Sequence, residues 1–161
     1  MILIDLQKAF DTINHDIILD KMKLMRFSEE TIGWFKSYLS NRNFLVNVGT
    51  TFSDPADLKC GVPQGSILGP LLFLLYIIDL PQAIYDCDVR LYADDTCISF
   101  KHNNVKTIED KLNKDFNTLC DWFLDNKLSI HFGEDNTKTI LFSPRNLRKN
   151  ADNIIIKTLK L

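Results

Sequence analysis

The chain has 161 residues, 45% of them apolar and 25% charged, with a formal net charge of −2. This composition is ordinary for a soluble globular protein and argues against a disordered or fibrous chain; the length suits about one domain with its own core. The charge is uneven: residues 136–161 carry six bases and one acid, a balance of +5, which leaves −7 for the rest. A basic tail of this kind suits an anionic partner, and a solvated surface equally well.

Four cysteines (Cys60, Cys87, Cys97 and Cys120) form no C-x-x-C pair, and the three histidines lack zinc spacing. Free or buried thiols in a reducing compartment are expected. The start, MILIDLQKAFD, has no basic segment and no cleavage site of a secretory leader. The longest apolar run, Leu71 to Ile78, falls far short of the roughly 20 residues a membrane span needs. No membrane partner is expected.

Met1 to Leu6 reads as a short buried strand ending near Asp5. Asp11 can cap a helix in which Ile13, Ile17, Ile18, Met22 and Met25 recur at helical spacing. Ser28, followed by Glu29 and Glu30, starts a second helix through Ile32, Phe35 and Leu39. Phe44–Val48 and Thr51–Ser53 flank Gly49-Thr50 as a hairpin, and Asp54-Pro55 is a turn. Cys60 to Pro70 is a loop punctuated by glycine and proline. Leu71 to Leu80 is apolar on every side, the pattern of a fully buried helix, and Pro81 ends it.

Val89–Tyr92 and Thr96–Phe100 are strands rich in β-formers. They are expected to form a hairpin with Ala93-Asp94-Asp95 as its tip. Val105, Ile108, Leu112, Phe116, Leu119 and Phe123 line one face of a long helix closed by Asn126 and Lys127. Leu128–Phe132 and Thr139–Ser143 read as two more strands joined by residues 133–136. The expected class is α+β: a mostly antiparallel sheet with helices on one face.

The sequence LYADDT sets two adjacent acids between apolar strands. Burying an unpartnered carboxylate costs several kcal/mol, about 2–7 by transfer measures for polar groups and more for charged ones, and two neighbours also repel. Plain turn chemistry explains such a pair most simply. A hard cation such as Mg²⁺ would also explain it, because it takes carboxylate oxygens and offsets their repulsion. Asp5 ends another apolar strand and could be a third ligand, or merely cap the next segment.

Four stretches in order resemble the palm of a reverse transcriptase of the non-LTR (LINE-like, jockey-type) retrotransposons. They are LIDLQKAFDTINH, GVPQGSILGPLLFLLYIIDLP, LYADDT and NKLSIHFGEDNTKTILF, and they span nearly the whole chain. The resemblance implies an antiparallel palm sheet over residues 1–143, without fingers or thumb. Residues 144–161 would be a basic tail that could begin the palm-to-thumb connection.

It also implies RNA-directed DNA polymerisation, with an RNA template, a DNA primer and deoxynucleotides as partners. Asp5, Asp94 and Asp95 would hold two Mg²⁺ ions, or Mn²⁺. Phe10 would lie under the nucleotide sugar and oppose a ribose 2′-OH. Gln64 and Gly65 would border the nascent base pair, Tyr92 would contact substrate, and Lys138 would serve the triphosphate. Phe10 as a core ring and Lys138 as a surface lysine are the plainer readings of those two residues.

Two positions depart from the family pattern: Ile78 stands before Asp79 where Asn-Asp is usual, and Asn136 stands two residues before Lys138 where a lysine is common. The family implies an intracellular protein of nucleus or cytoplasm. The chain reads as a fragment of a longer element. Two other readings are a non-catalytic relic or nucleic-acid-binding module, and a group II intron-type reverse transcriptase, which shares YADD.

Overall fold

Strand propensity and alternation build the sheet, and amphipathic spacing builds α-helices such as the one over Val105–Asp125. The computed structural model describes residues 1–132 and 137–142. These fall into two compact units. One holds residues 1–7 and the described residues from 78 onward, and the other holds Lys8–Ile77.

The first unit is a four-stranded antiparallel sheet covered by a long helix. Its strands are β1 (Ile2–Ile4), β6 (Asp88–Tyr92), β7 (Asp95–Ser99) and β8 (Lys138–Thr139), in the order β6-β7-β1-β8. Register is set by Ile2↔Ile98 and Ile4↔Thr96 on one side of β1, and by Leu3↔Lys138 on the other. Side chains alternate across the pleat. Ile2, Ile4, Thr96 and Ile98 are therefore buried, while Leu3 is exposed and Cys97 only half-buried.

Helix α4 (Val105–Asp125) supplies the apolar cover. Asn104 caps it by accepting from the Lys106 and Thr107 N–H groups. Ile108, Leu112, Phe116, Leu119 and Phe123 are all buried, as their spacing predicts. Burying each such side chain stabilises by about 1.5–3 kcal/mol.

After α4, the two expected strands are shorter than the sequence suggests: Ile130 makes one isolated bridge with Leu6, and β8 covers only Lys138–Thr139. Both segments lie along the same backbone edge of β1, by Leu6↔Ile130 and then Leu3↔Lys138. Ser143 and the basic tail lie outside the described residues.

In the second unit, α1 (His15–Leu24) is capped by Asn14, not Asp11; the Asn14 side chain accepts from the Asp16 and Ile17 N–H groups. Asp11 is instead used in a tight turn, its N–H donating to Lys8 O at 2.9 Å. Ser28 caps α2 (Glu29–Leu39) as expected, accepting from the Thr31 N–H. The ribbon beyond it continues past its expected end. β3 (Asn47–Val48) pairs β4 (Thr51–Phe52), and β2 (Asn43–Phe44) pairs β5 (Ala56–Asp57) beyond the Asp54-Pro55 turn.

Helix α3 covers Leu68–Ile77, three residues ahead of the expected start. Ser66 Oγ accepts the Gly69 N–H at 3.0 Å and so anchors the earlier beginning. The helix is not buried all round: Leu72, Phe73, Tyr76 and Ile77 are buried, whereas Leu71 and Leu74 are exposed. It stops before Pro81, which lies within a separate 3-10 turn, Leu80–Ala83. The buried Lys21 of α1 donates to Tyr76 O at 2.6 Å, a cation at the carbonyl end of α3.

Candidate active site

The β6–β7 hairpin is tighter than the sequence suggests. Tyr92 pairs directly with Asp95, so Asp95 is the first residue of β7 and the loop is Ala93-Asp94 alone. Ala93 has φ +53°, where glycine is usual in two-residue loops. A left-handed conformation costs a residue with a Cβ about 1–2 kcal/mol. The expectation that both acids share the tip is corrected: Asp94 is in the turn and half-buried, and Asp95 is on the strand and exposed.

Asp5 directly follows β1. Ile4 pairs with Thr96 across the ladder, so the next step sets Asp5 level with Asp95. Alternation puts Leu3 and Asp5 on the face opposite buried Ile2 and Ile4. Cys97 and Asp95 share that open face, as do Arg90 and Tyr92, because directly opposed antiparallel residues point the same way. Lys138 stands opposite Leu3 and belongs to the same face.

Asp5 has a partner that the sequence does not reveal. His131 Nδ1 lies 3.3 Å from Asp5 Oδ2, with the two side chains 46% and 37% exposed. The His131 N–H also donates to Asp5 O at 2.8 Å. Only the long-range pairing of Leu6 with Ile130 brings this histidine to the acid.

The three acids thus share one end of one sheet. They do not form a ready-made cage: among the described residues, no three His, Cys, Asp or Glu side chains are gathered to hold a metal ion. The donors are hard carboxylate oxygens. Mg²⁺ usually takes one or two of these and completes its shell with water and substrate phosphate.

Phe10, Gln64 and Gly65 belong to the second unit. They line a cavity of about 420 Å³ with Pro63, Ser66, Gly69 and Pro70. Phe10 packs on Phe73 with ring centroids 5.0 Å apart, leaving it half-buried. Gln64 Nε2 donates to Asp11 Oδ1 at 2.9 Å. Gly65 has φ +75° and open space beside it, so its glycine serves the turn rather than a close contact.

Gly61 is the tightly fitted glycine. A Cβ there would meet Asp11 O at 2.7 Å. Its N–H donates to Ile13 O at 2.7 Å, and the Val62 N–H donates to Phe10 O at 2.9 Å. The loop is thereby stitched to the segment that carries Phe10.

Among the described residues no helix is long and apolar enough to cross a membrane. The family described as "Reverse transcriptase (RNA-dependent DNA polymerase)" matches residues 1–142. The chain is 38% identical over 128 residues to the "Probable RNA-directed DNA polymerase from transposon BS" of Drosophila melanogaster, a match covering 75% of this chain. It is 36% identical over 119 residues, 66% of the chain, to that of transposon X-element from the same fly. It is 29% identical over 138 residues, 81% of the chain, to the polymerase of mobile element jockey from Drosophila funebris. These matches make up only 14, 13 and 15% of the relatives' own lengths. On these matches the chain belongs to the reverse transcriptase (RNA-dependent DNA polymerase) family, with relatives in non-LTR retrotransposons.

Proposed function

We propose that this chain is part of the palm of an RNA-directed DNA polymerase. It would work on an RNA template with a DNA primer and deoxynucleoside triphosphates. The primer 3′-OH attacks the α-phosphorus of the nucleotide, a new P–O bond forms, and pyrophosphate leaves. The single observation that carries this reading is the shared open face of Asp5, Asp95 and the Asp94 turn, on a chain whose family is shown.

Asp5, Asp94 and Asp95 would hold the divalent ions. Two such ions, when bound, supply charge neutralisation at the attacking and leaving oxygens. The remaining work falls to the chain's own groups. Tyr92 stands opposite Asp95 and presents a ring and hydroxyl on the same face. Lys138 adds a positive charge to that face, suited to a triphosphate. In the other unit, Phe10 and the Gln64-Gly65 loop line a cavity suited to a sugar and base, with the ring opposing a 2′-OH.

The test is primer extension on an RNA template with Mg²⁺, by this chain and by a longer protein that contains it. Template-dependent synthesis that is lost in Asp94→Asn supports the reading. No synthesis by either protein, or an unchanged rate in Asp94→Asn, overturns it. A second reading, a non-catalytic nucleic-acid-binding module, draws on the Asp5–His131 pairing and the ungathered acids. It predicts duplex binding without extension.

A further inference from the structure

The open face holds a cation that no role above uses. Arg90 is directly opposite Cys97, Cys97 is opposite Leu3, and Leu3 is opposite Lys138. These four residues form one row across all four strands, on the face turned away from buried Ile2, Ile4 and Ile98. The neighbouring row holds Tyr92 and Asp95, with Asp5 level with them. One strand repeat, two residues or about 7 Å, separates the rows.

Arg90 is exposed and lies on an edge strand. It makes no hydrogen bond or ion pair with the described residues, although Asp88 is on its strand and face. Arginine presents five donors in a planar fork that matches phosphate oxygens. A charge on an edge strand also discourages pairing with other chains, but here it stands one row from the acids and no described residue uses it.

We infer that Arg90 grips a backbone phosphate of the primer–template duplex, one row behind the acids. This rests on the reading that the open face is where the duplex lies. The recognised group is a phosphodiester, so the contact is blind to base sequence.

The experiment is a fluorescence-anisotropy titration of the 161-residue chain with a fluorescein-labelled DNA primer annealed to RNA. EDTA is present, and salt is varied between about 50 and 200 mM. Arg90→Gln is expected to weaken binding roughly ten-fold and to lower the slope of log affinity against log salt by about 1. Arg90→Lys keeps the charge and is expected to keep that slope. Equal slopes and affinities for wild type and Arg90→Gln overturn the inference, as does an absence of duplex binding by the wild type.

Primer extension with Mg²⁺ is read separately. Arg90-dependent binding without extension leaves this inference standing and removes the catalytic reading. Extension with an unchanged Arg90→Gln slope does the reverse.

Discussion

Asp5 and His131 are joined twice, by a 3.3 Å approach of Nδ1 to Oδ2 and by the His131 N–H donating to Asp5 O. The backbone bond fixes where the imidazole stands, within ion-pair distance of the carboxylate. If Asp5 holds a divalent ion as proposed, removing a side chain that stands against it should change metal affinity by about 10–100-fold. His131→Ala is therefore expected to raise the Mg²⁺ concentration for half-maximal extension by about ten-fold. An Mg²⁺ titration of extension rate checks it, and an unchanged midpoint would show the pairing to be incidental.

Asp94 and Asp95 are held differently, one in the turn and half-buried, the other exposed on the strand beside Tyr92. A carboxylate enclosed by a turn can remain fixed, whereas an exposed strand-end side chain has more freedom. If Asp94 holds a divalent ion as proposed, Asp94→Asn is expected to lower the single-turnover rate by roughly 100-fold or more, the scale for losing an electrostatic contact at a reacting centre. Asp95→Asn is expected to lose less. Equal or reversed losses would refute the ranking.

Asp86 lies between two lysines, with Lys111 Nζ at 2.8 Å and Lys114 Nζ at 2.9 Å. The hydrogen bond from Lys111, then that from Lys114, holds its carboxyl below the ordinary value of 3.8. The unfolded chain then binds the proton more readily than the folded one, so stability rises with pH across this range. The contribution is complete well above 3.8 and is lost as pH falls through the lowered folded value. Both lysines are substantially exposed, so the effect is small. Asp86→Asn should lower the melting temperature slightly at neutral pH, and its deficit should close in strong acid. Melting curves across pH decide this.

The thiols should react in a set order. Cys60 is exposed. Burial first, then the hydrogen bond involving Asp115, pushes the Cys87 thiol up to about 12. Burial pushes that of Cys120 up to about 11. Only the thiolate attacks an alkylating agent. At pH 8, iodoacetamide should label Cys60 well before Cys87 or Cys120, and all three should react alike in urea. Peptide mass spectrometry over time reads the order, and early labelling of Cys87 would contradict it.

Gly61 leaves no room for a side chain and has φ +84°. Gly61→Ala combines a left-handed strain of about 1–2 kcal/mol with a clash against Asp11 backbone. A loss of about 3 kcal/mol or more in urea unfolding is expected. Gly65→Ala, with open space beside it, should cost only the strain. Similar losses for the two would argue against the close approach.

Local chemistry was readable where neighbours in sequence decide the outcome. The Ser28 cap and the buried face of α4 follow from spacing alone. The start of the helix before Ser28 is ambiguous in the sequence because Asp11 and Asn14 are both capping residues; the turn at Lys8 claims the first. The two-residue loop of the β6–β7 hairpin is hidden in the sequence. No glycine or asparagine marks a two-residue loop, and Ala93 takes the left-handed position instead. The three acids and the Phe10–Gln64–Gly65 group could be chosen from their motifs. His131 could not: it gains its place from the long-range pairing of Leu6 with Ile130, which no local pattern encodes, whereas Arg90 sits on a hairpin that the sequence does show.

β1 is flanked by β7 and β8, yet its partner residues are far along the chain: Ile2 meets Ile98, and Leu3 meets Lys138. Closing so long a loop costs entropy before any ladder bond repays it. On a ribosome, the first acid emerges long before the strand that will lie beside it, and the edge opposite β7 stays open until still later. The acids can therefore come together only once β7 has emerged, before the β1 edge that takes Ile130 and Lys138 is filled. A chain halted before Thr96 would present β1 as a bare apolar edge, prone to pair with other chains.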